Sequence, residues 1–198
     1  GIDTLSNLVE FRDLDSGEHI KRTKDLTRIL INTYNKKYPD HFIIDSKREK
    51  ICRAAALHDV GKISISDTIL NKKGRLTDEE MEIMKTHTTK GYEIIKGFKL
   101  NDDEEQERYS LDIAKYHHER WDGRGYPEGL KGDEIPLWSQ IVGIVDVYDA
   151  LVSPRVYKKA FSHEKAMEMI LAGECGTFNP ILLECLKDAE ELLKNEYK

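Results

Sequence analysis

The sequence contains only three cysteines, Cys52, Cys175 and Cys185, and they lack the CxxC or zinc-knuckle spacing of thiolate metal sites. A sparse, odd set of this kind is typical of proteins in a reducing compartment. No stretch approaches the roughly 18 apolar residues that a membrane-spanning helix needs, and the sequence shows no signal peptide. We therefore expect a cytoplasmic domain, although the full-length protein could be membrane-tethered.

Long runs of Lys or Arg are also missing. The 198 residues include 31 basic and 37 acidic side chains, which give a net charge of −6. This balance excludes duplex nucleic acid as the expected partner, although local basic residues could bind a phosphate-bearing small ligand. The length and the 39% hydrophobic content are sufficient for one sizeable core.

We expect a single domain over residues 1–198. The chain begins with Gly1 rather than Met, so we interpret residues 1–12 as a linker or tag scar on an excised domain. A regulatory or sensory region would then be fused to it in the full protein. The sequence does not determine whether the domain forms a homodimer.

No segment has the alternating pattern of a strand, so we expect an all-α fold. Apolar residues recur at helical spacing from Gly17 to about Lys37. Ser46 with Glu49, and Thr77 with Glu80, match the capping-box pattern that begins a helix. The acidic stretch 101–107 is predicted to be a surface connection, followed by a helix that ends near residue 117.

A His beside an Asp follows the apolar helix that starts near residue 46. His58 and Asp59 lie just before Gly61, which is predicted to end this helix. Imidazole and carboxylate together suit a hydrolytic transition-metal site. Upstream, Asp15 and His19 are four residues apart and could share a helix face, but Asp15 or Ser16 could equally be a helix N-cap.

Further candidate ligands follow along the chain. His87 lies on or beside an apolar helical face, where a His is often only a satisfied core residue. Asp146 and Asp149 lie three residues apart within a nearly all-apolar helix that begins after Pro136. Burying carboxylates is costly unless they are neutralised. Either cations or loop amides could do this, and the number of nearby ligand-type residues favours cations.

The most specific stretch runs from His117 to Gly132. Two adjacent His residues and a Glu precede a loop that contains four glycines and a proline, and this composition predicts an ordered, turn-rich segment. The set His58-Asp59, His87, the His117–Pro127 stretch and Asp146-Val147-Tyr148-Asp149 resembles, in this order, the HD-GYP subgroup of the HD-domain phosphohydrolases. The resemblance covers about residues 10–190.

This resemblance implies an HD-domain helical bundle with a metal centre in the cleft of its core. It also implies a phosphodiesterase that hydrolyses cyclic di-GMP to linear pGpG, and in some members on to GMP. A hydroxide bridging two metal ions would be the nucleophile. A cyclic-dinucleotide-binding module without turnover, and an HD phosphohydrolase acting on another nucleotide, are the alternatives.

By motif position, the resemblance assigns Asp59 as the bridging metal ligand, Lys62 as the contact to the scissile phosphate, and Tyr126 and Pro127 to the loop that borders the pocket. The remaining metal ligands would be His58, His87, His117, His118 and Asp146. Contacts to the substrate would come from Asp149, Arg155 and Lys158.

One departure from the family pattern concerns a third metal ion. Members with three metals carry Glu where this chain has Asp15, followed by a His at the position of His19. The shorter Asp side chain leaves a third ion open, so we expect two ions. Mixed nitrogen and oxygen ligands favour iron or manganese, with nickel, cobalt or zinc able to compete.

Overall fold

A computed structural model of the chain describes residues 17–98, 102–154 and 159–198. Within these ranges the regular structure is helical, and the predicted all-α class is confirmed. The α-helices are α1 (Gly17–Lys37), α2 (Asp45–Ala55), α3 (Asp67–Leu70), α4 (Asp78–Lys85), α5 (His87–Phe98), α6 (Glu104–Tyr116), α7 (Leu137–Val152), α8 (His163–Leu171), α9 (Pro180–Asp188) and α10 (Glu190–Asn195). Short 3-10 helices cover Pro39–His41, Val60–Ser64 and Gly132–Glu134.

Helix α7 lies at the centre of the molecule. It packs against α1, α6 and α8, and most of its residues are buried on every side. Its apolar residues, among them Ile141, Ile144 and Leu151, join residues of α1, α2, α6, α8, α9 and α10 in one continuous core. This central position explains why its sequence is nearly all apolar, and it places Asp146 and Asp149 in the interior.

A smaller apolar cluster is formed by residues of the segment that follows the His-Asp pair and by one residue of α4. Ile65, Ile69, Leu70, Leu76 and Met84 form it, and Tyr126 packs against it. Among the described residues, no helix combines the length and the apolar character that crossing a membrane requires.

The predicted helix boundaries are partly correct. Helix α1 ends at Lys37 as expected, and Thr77 with Glu80 forms the predicted capping box at the start of α4. The capping box predicted at Ser46 is wrong, because α2 begins at Asp45 after Ile44, which makes no side-chain cap.

The surface connection predicted over residues 101–107 is also wrong in part. The side chain of Asp103 accepts hydrogen bonds from the amides of Glu105 and Gln106 and begins α6 there. Its acidic first turn complements the positive end of the helix dipole.

Candidate metal centre

Most of the predicted metal ligands lie at or just beyond the ends of helices, and one lies within α7. His58 and Asp59 lie in the turn between α2 and the 3-10 helix Val60–Ser64, His87 begins α5, and His117 with His118 follows α6. His19 comes from the first turn of α1, and Asp146 from the middle of α7. All seven side chains are buried.

The ligand-type atoms form two adjacent groups. One group consists of Asp59, His87, His117 and His118, and the other of His19, His58 and Asp146. Within each group, the candidate ligand atoms lie within 4.8 Å of one another. Each group therefore offers a set of nitrogen and carboxylate donors close enough to converge on one ion.

The Asp59 carboxylate lies between the two groups. Its Oδ1 atom is 3.3 Å from Nε2 of both His87 and His117, while its Oδ2 atom is 3.1 Å from Nε2 of His58. One carboxylate thus presents one oxygen to each group. This is the arrangement that a ligand bridging two ions requires, and it agrees with the role that the sequence resemblance assigns to Asp59.

Three of the imidazoles are oriented by the backbone. Nδ1 of His58 is 2.6 Å from the carbonyl oxygen of Ala55, Nδ1 of His87 is 2.7 Å from that of Met84, and Nδ1 of His117 is 2.8 Å from that of Ile113. A carbonyl can only accept, so Nδ1 carries the proton in each ring. Nε2 of each ring faces Asp59 and is the atom that the ring, once neutral, offers to a metal ion.

The electrostatics of the pocket favour a cation. Burial alone would lower the pKa of His58, but the Asp59 and Asp146 carboxylates raise it well above its ordinary value. Burial lowers the pKa of His117 and lowers that of His118 still further, so both rings stay neutral. The pocket thus combines neutral imidazoles at His117 and His118 with carboxylates that stabilise positive charge, and a metal ion bound there would take the place of the proton on His58.

One buried oxygen provides a further test of whether metal fits. Oδ2 of Asp146 is inaccessible to solvent and accepts no hydrogen bond from the described part of the chain. A buried carboxylate oxygen without a partner is costly, and a divalent cation held together with His19 and His58 would remove that cost. The donor set therefore fits divalent metal.

Gly61 allows the turn that carries Asp59 to pack directly on α5. A Cβ atom at Gly61 would lie 1.8 Å from the carbonyl oxygen of His87 and 2.6 Å from the amide nitrogen of Gly91. The prediction that Gly61 ends α2 is wrong, because α2 ends at Ala55. The glycine is needed for close contact between two segments that supply ligands.

Gly61→Ala is expected to lower the free energy of unfolding by about 3 kcal/mol, because backbone must move to admit the methyl group. Urea unfolding would measure this loss. Gly97→Ala is the matched control, since a Cβ there has no atom within 4 Å, and a helical Gly-to-Ala change should be neutral or stabilise by up to about 1 kcal/mol. Equal stabilities of the two variants would contradict the close-packing argument.

Lys62 is fully enclosed beside this turn. Its side chain is 1% exposed, and its Nζ atom lies 3.1 Å from Oδ2 of Asp59. Burial would raise the pKa of Asp59, but the positive charges of His58 and Lys62 outweigh this effect and hold it well below its usual range. Lys62 therefore places a positive charge beside Asp59, where it could contact an anion that binds at the metal centre.

Asp149, which the resemblance assigns as a contact to the substrate, is enclosed by other side chains of the protein. It is completely buried, and its carboxylate contacts the side chains of His19, Arg22, Ser153 and Tyr197. The carboxylate is thus turned toward the candidate ligand His19 and not toward solvent. Of the other predicted substrate and metal residues, Asp15, Arg155 and Lys158 lie outside the described residues.

The predicted pocket loop is anchored to the same region. The ring of Tyr126 stacks on His118 with centroids 5.0 Å apart, and the Tyr126-Pro127 peptide bond is cis. The buried carboxylate of Glu119 accepts hydrogen bonds from the amides of Glu128 and Leu130. These contacts hold the loop against the group that contains His118.

Sequence reasoning missed several residues that support the centre. Glu119 directly follows the two ligand-type histidines, and Arg22 lies three residues after His19 on the same helix face, so both could have been suspected. Nothing in the sequence connects Tyr197 with residues near position 19 or 149. That contact exists only because the end of the chain packs beside α7.

Comparisons with known proteins find several relatives of this chain. The chain is 40% identical over 199 residues to a "Cyclic di-GMP phosphodiesterase" of Vibrio cholerae, an alignment that covers 95% of this chain and 39% of that protein. It is 37% identical over 182 residues to a "3'3'-cGAMP-specific phosphodiesterase 2" of the same organism, with 92% and 33% covered. A "Cyclic di-GMP phosphodiesterase" of Thermotoga maritima is 36% identical over 197 residues, with 100% and 50% covered.

The chain thus spans half or less of the length of these three curated relatives. Among solved structures, an HDG"Y"P protein from Bdellovibrio bacteriovorus has a TM-score of 0.65 at 18% identity, covering 90% of this chain and 55% of that one. At this identity the likeness concerns the fold. A family model described as "HD domain" matches residues 15–178, a range that includes every predicted metal ligand. The chain belongs to the HD domain family.

Proposed function

We propose that this domain is a metal-dependent phosphodiesterase that hydrolyses cyclic di-GMP to linear pGpG. The observation that carries the proposal is the pair of buried donor groups that meet at Asp59. Two relatives named as cyclic di-GMP phosphodiesterases, with 36–40% identity over nearly the whole chain, support this choice of substrate. Whether the product is cleaved further to GMP is left open.

We propose that Asp59, His87, His117 and His118 would hold one divalent ion and that His19, His58 and Asp146, together with Asp59, would hold a second. Two ions held side by side supply a water molecule of lowered pKa and neutralise charge on the phosphate. Iron or manganese suits these mixed ligands best, with nickel, cobalt or zinc as competitors. A third ion would require Asp15 to reach the group that contains His19.

The protein's own residues would then bind and orient the substrate. Lys62 lies beside Asp59 and would stabilise the charge that develops on the non-bridging phosphate oxygens. Tyr126 and Pro127 would border the pocket, and Arg155 and Lys158 would contact the ligand from the segment after α7. Asp149 would act on the substrate through His19, whose ring its carboxylate contacts.

The cyclic dinucleotide 3'3'-cGAMP should be tested as a second substrate, because one relative is named as specific for it. That relative covers nearly the same part of this chain as the cyclic di-GMP enzymes, with similar identity. The motif residues would serve both substrates, since both contain two phosphodiester bonds. We infer that cyclic di-GMP is the better substrate and 3'3'-cGAMP the main competitor.

The test is an elemental analysis of anaerobically purified protein, combined with turnover assays on the same sample. Cyclic di-GMP, 3'3'-cGAMP, dGTP and p-nitrophenyl phosphate would be compared at equal concentration. We expect two or more metal ions per chain, pGpG as product, and the highest kcat/KM for cyclic di-GMP.

Other results would argue against the proposed function. Tight binding of cyclic di-GMP without turnover by fully metal-loaded protein would favour a regulatory binding module. Preferred hydrolysis of dGTP would favour a different HD phosphohydrolase. Absence of bound metal after reconstitution with iron and manganese would contradict the metal centre itself.

A further inference from the structure

His19 differs from the other candidate ligands in how its ring is held. The rings of His58, His87 and His117 are oriented by carbonyl groups within their own helical segments. The Nδ1 atom of His19 contacts instead a side-chain oxygen, Oδ2 of Asp149, on another helix. The orientation of His19 therefore depends on the packing of α1 on α7, whereas local backbone fixes the other three rings.

The two oxygens of Asp149 contact different groups. Oδ2 faces His19, while Oδ1 accepts hydrogen bonds from three side chains. Nε of Arg22 lies 2.9 Å from Oδ1, Oγ of Ser153 lies 3.1 Å from it, and the hydroxyl of Tyr197 also donates to it. These three donors fix the rotation of the carboxylate, and the carboxylate in turn fixes the imidazole.

Tyr197 is the member of this network that comes from farthest along the chain. It follows α10 and lies beyond residues 15–178, the range that matches the HD domain model. Its ring packs edge-on against Tyr148 at a centroid distance of 6.0 Å, and the guanidinium of Arg22 lies 5.3 Å from the ring centroid. These contacts place the phenol so that its hydroxyl reaches the buried carboxylate.

We propose that Tyr197 is a positioning residue for the metal group formed by His19, His58 and Asp146, acting through Asp149. This inference rests on the proposed metal centre and adds the end of the chain to its supporting residues. In the group that contains His87, His117 and His118, the contacts found among the described residues orient the rings locally or through Tyr126. Loss of the Tyr197 hydroxyl should therefore weaken one metal group and spare the other.

Tyr197→Phe removes only the hydroxyl and keeps the ring between Tyr148 and Arg22. The matched control is Tyr148→Phe, because the hydroxyl of Tyr148 is hydrogen-bonded to Nδ1 of His163 at 2.6 Å rather than to Asp149. Each change removes one hydroxyl that links α7 to a segment later in the chain. They differ in whether that hydroxyl reaches the carboxylate behind His19.

Metal-free protein would be titrated with Mn²⁺ in the calorimeter, and Asp146→Asn would identify the binding step that belongs to the His19 group. We expect Tyr197→Phe to weaken that step about tenfold, a typical effect of losing a partner of a metal ligand, and to leave the other step unchanged. Tyr148→Phe should shift neither step. Thermal unfolding of the metal-free proteins would show whether general stability differs between the two variants.

Two outcomes would overturn the inference while the proposed function stands. One is an unchanged affinity in Tyr197→Phe, and the other is an equal weakening of both steps, which a merely structural role would produce. If wild-type protein shows no Mn²⁺ binding and no turnover, the proposed function fails first and the inference fails with it. Two ions and normal turnover in wild type, with no selective effect in Tyr197→Phe, would reject the role of Tyr197 alone.

Discussion

Replacing Asp59 by Asn is expected to abolish hydrolysis of cyclic di-GMP and to remove at least one metal ion. Asp59 presents one oxygen to each donor group, and an amide supplies neither the negative charge nor a second good oxygen ligand. A metal centre contributes several kcal/mol to phosphodiester hydrolysis. We therefore expect kcat/KM to fall by a factor of about 10³ or more. Product formation and elemental analysis of the same preparation would measure both effects.

The exposed Asp67 provides the matched control for this substitution. Asp67→Asn makes the same chemical change on the surface of α3, and it should leave turnover and metal content at wild-type levels. Retention of both metal ions in Asp59→Asn would contradict the bridging role. Retained turnover would contradict the location of the active site.

Replacing Lys62 by Met is expected to reduce kcat by a factor of about 10² to 10³, the range seen when one group that stabilises transition-state charge is removed. Met has a similar length and tolerates burial, so the enclosed position of Lys62 should stay filled. Metal binding should be retained or become tighter, because a positive charge 3.1 Å from Oδ2 of Asp59 has been removed. Steady-state kinetics and metal analysis would separate the two effects.

Lys96→Met is a suitable control, since Lys96 is an exposed residue of α5 that lies over the ring of Tyr92. It should change neither kcat nor metal content. Loss of metal in Lys62→Met would show that the main task of Lys62 is to hold Asp59 in place. In that case the phosphate contact would have to come from another cation.

The sequence predicted several features correctly because they depend on local spacing. Helical periodicity over residues 17–37 and the Thr77 capping box need only neighbouring residues, and the structure has both. The helix start at Asp103 also carries a local signal, an N-cap residue followed by acidic residues, although the acidic composition of that stretch is equally typical of a surface connection.

The candidate ligands could likewise be recognised from residue type and order. Their division into two groups could not, because it depends on how the ends of α2 and α6 and the start of α5 meet around α7. The same holds for Gly61, which a local pattern assigned to the end of a helix. Contact with His87 across the structure is the actual reason for a glycine there.

By itself, the sequence predicted the helical class, the resemblance to an HD-type family and the candidate metal ligands, since periodicity and motif order can be read directly from the order of residues. Only the tertiary structure decided that Asp59 faces both groups, that Asp149 supports His19, and that Tyr197 reaches Asp149. The physical reason is that hydrogen bonds and metal ligation act over about 2–3 Å. Residues far apart in the chain come within that range only when the core packs.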